Sequence, residues 1–104
     1  MPTAAESPFD EGVALLEFGE HVKAVEAATR AESEPQNAEA YYNRGTAYAE
    51  LGQYQRAIQD LNEAIRLNPW FALAYINRGN AYNDLGQPQR AIEDYDEAIG
   101  LGPR

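Results

Sequence analysis

Apolar and small residues recur along this chain every three or four positions and never settle into every second one. Tyr41, Gly45 and Tyr48 share one face of a helix, and Ala57, Leu61 and Ala64 share another. The figure then returns as Tyr75, Gly79, Tyr82 and Leu85, followed by Ala91, Tyr95 and Ala98 with Ile92 and Ile99 beside them. Val, Ile and Thr are sparse, so strands are not expected. The stretch AYYNRGTAYAELGQYQRAI, residues 40–58, is rewritten 34 residues later as AYINRGNAYNDLGQPQRAI. Across 38–70 and 72–104, 21 of the 33 aligned pairs are identical. A period of that length in a chain that is not of low complexity marks a structural repeat.

The breaks follow the same period. Gly52 and Gly86 end one helical run, Pro88 fits the first turn of the next, and Pro69 and Pro103 close each unit. Each unit is therefore two helices joined by a short turn, which makes them antiparallel neighbours. The first third is a weaker copy. Gly12, Gly19, Ala24 and Ala31 fall on Gly45, Gly52, Ala57 and Ala64, while Leu15 replaces Tyr48 and Pro35 sits one residue early. Ser7, Pro8 and Asp10 form a helix start. The pattern predicts three helix pairs: 7–18 with 21–33, 38–51 with 54–67, and 72–85 with 88–101. Gly45 and Gly79 let helix axes approach, with Ala57 and Ala91 opposite them. Arg44 and Arg78 recur with Asp60 and Asp94 at a fixed offset, which predicts ion pairs between the helices of each unit.

With Tyr41, Gly45, Tyr48, Ala57, Leu61 and Pro69 met again as Tyr75, Gly79, Tyr82, Ala91, Tyr95 and Pro103, the chain resembles the tetratricopeptide repeat (TPR) family. Arg44 and Arg78 depart from the family's usual leucine before the glycine. The resemblance implies an all-α fold, a right-handed α-solenoid of three helix-turn-helix pairs with six antiparallel helices. It also implies one domain over 1–104, with repeats at about 5–37, 38–71 and 72–104. In this family the first helix of each pair lines a concave groove that binds a peptide. Here that face carries Phe9, Val13 and Leu16, then Tyr42, Asn43, Thr46 and Glu50, then Ile76, Asn77, Asn80, Asn83 and Asp84. An asparagine both donates and accepts, so Asn43 and Asn77 suit a peptide backbone of any sequence.

One subclass of the family holds the C-terminal carboxylate of chaperones with cations and asparagines at set places. Only Asn43 matches, while Phe9, Val13, Leu73 and Asn77 fill the other places. A carboxylate-clamp chaperone tail is therefore not expected, and a neutral or basic peptide is. A second expectation is self-assembly, with terminal repeats stacking end to end to give a homo-oligomer. It rests on some of Ile92, Tyr95, Ala98, Ile99 and Leu101 being uncovered on the last helix. Trp70 is read as a partly covered core edge, with a partner contact as the alternative, and Phe71 as a staple onto Tyr75.

Composition narrows the partner class. Lys and Arg total 8 against 17 Asp and Glu, a net charge of −9, which repels phosphate backbones and anionic lipids. Neither nucleic acid nor membrane is an expected partner. MPTAAESPFDEG lacks a basic start and an apolar run, and with no spanning stretch the expectation is a cytoplasmic protein. There is no cysteine. His21 is the lone histidine, and the acids of EDYDE, 93–97, point around a helix and lack a turn-forming loop, so no catalytic or metal site and no cofactor is expected.

Overall fold

The computed structural model describes the backbone of residues 8–102 and the side chains of residues 19–102. Among the described residues every regular element is a helix: α1 (Pro8–Ser33), α2 (Ala38–Glu50), α3 (Tyr54–Leu67), α4 (Ala72–Asp84) and α5 (Pro88–Leu101). Successive helices pack as neighbours, α1 on α2, α2 on α3, α3 on α4 and α4 on α5, and α2 also touches α4.

The turns form where the glycines stand. Gly52 and Gly86 have φ of 76° and 77°, a left-handed conformation that costs a residue with a Cβ about 1–2 kcal/mol. At each, two backbone bonds close the helix end. Gly52 N–H donates to Ala49 and Gln53 N–H to Tyr48, at 3.0 and 2.8 Å; Gly86 and Gln87 do the same to Asn83 and Tyr82. Pro88 then opens α5 in the first turn, where its missing N–H removes no helical bond. Asn37 caps α2, its side-chain oxygen accepting from Ala40 N–H at 3.1 Å.

The core is built from small residues. Ala40, Ala57, Ala64, Ala74, Ala81 and Ala91 are buried, and Leu61 is the largest fully buried side chain. A Cβ added to Gly45 would lie 3.0 Å from Leu61 and 3.1 Å from the carbonyl oxygen of Ala57. At Gly79 it would lie 2.8 Å from the Tyr95 ring and 3.2 Å from the Ala91 carbonyl. The omitted bulk lets each pair of helices nest, as the spacing predicted.

The first repeat departs from expectation. Instead of helices at 7–18 and 21–33, α1 runs unbroken from Pro8 to Ser33, so the described helices number five and not six. Gly19 occupies the position of Gly52 but does not have its positive φ. The physical reason is that this copy lacks the clamp of the other two. Glu11 and Ala27 stand where Arg44 and Asp60 form an ion pair. Without that clamp, the backbone bonds of an uninterrupted helix win. Ser7 and Pro103, given roles in the sequence reading, lie outside the described residues, as do the side chains of Asp10, Phe9, Val13 and Leu16.

Candidate functional site

Two forked ion pairs set the geometry of α2 and α4. Arg44 donates through Nε and Nη2 to Asp60, both at 2.7 Å. Arg78 donates likewise to Asp94, at 2.9 and 2.6 Å. Both carboxylates are buried, and the arginine planes lie over Tyr41, Tyr48 and Tyr75 at 5.4–6.0 Å from the ring centres. The hydrogen bond to the buried carboxylate raises the pKa of each arginine, so both stay charged. Arg78 also donates to Asn62 at 2.8 Å, which ties α4 to α3 of the preceding repeat.

Between α2 and α4, Asn77 Nδ2 donates to Thr46 Oγ1 at 3.0 Å. These two predicted site residues are thus brought together, and Asn77 spends a donor on the repeat interface. Asn80 accepts from the Tyr95 hydroxyl, which orients its amide. Ile76, Asn80, Asn83, Asp84 and Glu50 stand exposed on the same side, while Tyr42, Asn43 and Thr46 are half-buried. The Tyr42 ring meets Phe71 at 4.8 Å, so Phe71, at the start of α4, reaches back to α2, a contact not foreseen for it. Trp70 is 72% exposed and is not a core edge; its backbone N–H donates to Asn68. On α5, Ile92 and Ile99 are exposed, Tyr95 and Leu101 are half-buried, and Ala98 is buried.

Two clefts flank this face. One of about 340 Å³ is lined by Glu39, Tyr42, Asn43, Phe71 and Leu73. The other, about 790 Å³, lies between α1 and α2, with Lys23, Arg30, Asn43, Thr46, Ala47 and Glu50 in its wall. A hydrogen bond with the Glu20 carboxyl, followed by burial and the charge of Glu20, raises the pKa of Glu50, against the pull of Lys23. Lys23, Arg30 and Leu73 were not among the predicted site residues. Leu73 was findable, because it puts an apolar side chain at the repeat position of Glu39. The two cations were not, because an expected hairpin gave residues 21–33 a different neighbour.

Helices paired by buried forks, with one face of α2 and α4 left open, define a helical-repeat scaffold. The tetratricopeptide repeat profile matches residues 38–71 and 72–104, and the chain belongs to that family. No curated protein sequence matches it. Among solved structures, it is similar to the second TPR of Spaghetti (RPAP3) bound to HSP90 peptide SRMEEVD, at 26% identity and a TM-score of 0.76, over 88% of this chain and 86% of that one. The first TPR of Spaghetti, bound to the same peptide, is 28% identical with a TM-score of 0.76, over 91% and 76%. MamA MSR-1 shares the fold at 22% identity and a TM-score of 0.74, over 80% of this chain. The chain spans about half the length of the MamA structures, 48% in that case.

These relatives correct one expectation. Two domains similar to this chain hold an acidic chaperone peptide, so neither the exclusion of a chaperone tail nor the preference for a neutral or basic partner stands. That exclusion rested on missing cations, yet Lys23 and Arg30 line a cleft together with Asn43. Among the described residues no helix is long and apolar enough to cross a membrane.

Proposed function

We propose that this chain is a non-enzymatic interaction module that holds a peptide segment against the side-by-side faces of α2 and α4. The observation that carries this reading is the Asn77–Thr46 bond, which locks the two helices in register. Apolar Ile76 then stands one turn from Asn80 and two from Asn83 on the exposed side of α4, and Tyr42 lies nearer the start of that helix, beside Phe71. The apolar pair takes side chains of the peptide, and the amides take its backbone, which presents one donor and one acceptor per residue. Asn43 and Glu50 extend the face toward α1, and Asp84 extends it toward the far end of α4.

In this reading residues 1–104 are one unit of three repeats, at about 5–37, 38–71 and 72–104, in a right-handed solenoid. Phe9, Val13 and Leu16 continue the groove. The peptide bound by both Spaghetti domains makes SRMEEVD the first ligand to try. Stacking through α5 is the second reading, favoured by Ile92 and Ile99, which are 51% and 76% exposed.

A displayed library of random peptides, with SRMEEVD included, tests the proposal. The chain enriches a family of peptides, and Ile76→Ala with Asn80→Ala lowers their affinity at least about tenfold, which is about 1.4 kcal/mol. No enrichment, or enrichment that the double variant retains, overturns it.

A further inference from the structure

The cleft between α1 and α2 has the walls of a helix berth. In the next interval along the chain, Asn77 bonds Thr46 on the first helix of the preceding repeat. Asn43, the counterpart of Asn77, lines the cleft with Thr46, Ala47 and Glu50, and α1 lines the opposite side. The repeat register therefore assigns this space to the first helix of repeat one, residues 8–18. Those residues instead prolong α1.

The floor of the berth is uncovered to match. On α3, Ala57, Ile58 and Leu61 are buried. Their counterparts on α1 are Ala24, Val25 and Ala28. Ala24 and Ala28 are half-buried, and Val25 is 65% exposed. Val22, one turn away, is exposed as well. A helix of 26 residues is about 39 Å long and one of 13 about 20 Å, so about half of α1 runs past its partner α2.

We infer that a second copy of this chain fills the berth, and that two α1 helices exchange their N-terminal halves. The internal pairing supplies the register. Gly45 meets Ala57 and Gly79 meets Ala91 across antiparallel helices. The corresponding residues in repeat one are Gly12 and Ala24. When two unbroken α1 helices run antiparallel, residue 12 of each meets residue 24 of the other, and the two-fold axis crosses near residue 18. Both close approaches form at once. Gly19 sits beside that axis, and a Cβ built on it meets nothing within 4 Å. Exchange of an identical element between copies re-forms in trans the contacts that the hairpin makes in cis. This contact uses the α1 side of α2, where Asn43, Thr46 and Glu50 border the groove, and it does not rest on a peptide ligand.

The chain has no cysteine, so introduced thiols report without background. Residue 13 is the counterpart of Thr46, so Val13→Cys on one copy and Asn43→Cys on the other are placed to meet. Mixed and gently oxidised, the two single variants give a covalent dimer that neither gives alone. Light scattering of the unaltered chain shows dimer mass across a dilution series. His21→Pro installs the helix start that repeat three has at Pro88 and breaks α1. It abolishes the mixed crosslink and returns monomer mass, with helical circular dichroism retained. Monomer mass for the unaltered chain, absence of the mixed crosslink, or a dimer that survives His21→Pro overturns the inference.

Discussion

Arg78 and Asp94 show what single residues contribute here. The carboxylate of Asp94 is buried, and Arg78 forks onto it while reaching Asn62 with a third nitrogen. Removal of one partner leaves the other desolvated and unpaired, whereas removal of both leaves only a packing problem. Arg78→Leu and Asp94→Leu should therefore each cost about 3 kcal/mol, and the double variant less than the sum of the two. Urea denaturation of the four proteins measures this, and additive losses would show that the fork contributes nothing as a pair. The pairing was legible because both arginine–aspartate pairs keep one offset in both repeats. The reach of Arg78 to Asn62 was not, since the counterpart of Asn62 is Asp96 and no repeated pattern announced it. The contact of Phe71 with Tyr42 was missed for a related reason, since sequence spacing reports contacts within a helix and its turn, whereas Tyr42 lies on α2.

At the scale of elements, one repeat position takes two conformations. Gly52 and Gly86 are left-handed and end their helices, while Gly19 lies inside α1. Alanine at 86 should destabilise by about 1–2 kcal/mol, since a Cβ strains that backbone. Alanine at 19 should stabilise by about 0.5–1 kcal/mol, because glycine inside a helix is more costly to order. Thermal melts of the two variants check the opposite signs, and a loss at both positions would mean that residue 19 is a turn. Repeats two and three were readable helix by helix because periodicity and the turn glycines agreed there. Repeat one kept the periodicity and the glycine but lacked the Arg–Asp fork. Alignment of glycines alone over-counted the helices, because a glycine permits a turn without requiring one.

For the whole molecule, the repeats position a face whose chemistry the sequence announced only in part. Tyr42, Ile76, Asn80 and Asn83 were legible as the outward side of the first helices, opposite the tyrosines and glycines of the core. Lys23 and Arg30 were not, because their place beside Asn43 depends on how α1 packs and not on any motif. The ionic forks and the Asn77–Thr46 bond hold the face in register, so the peptide binding proposed above would meet a preformed surface and lose little ordering entropy. The most direct test is a titration of the ¹⁵N-labelled chain with the tightest peptide from the library, followed by backbone amide shifts. The shifts should gather on Tyr42, Thr46, Ile76, Asn80 and Asn83. Shifts gathered instead around Gln55 and Gln59 of α3, or around Glu93 and Glu97 of α5, would place the ligand on the opposite side and contradict the groove.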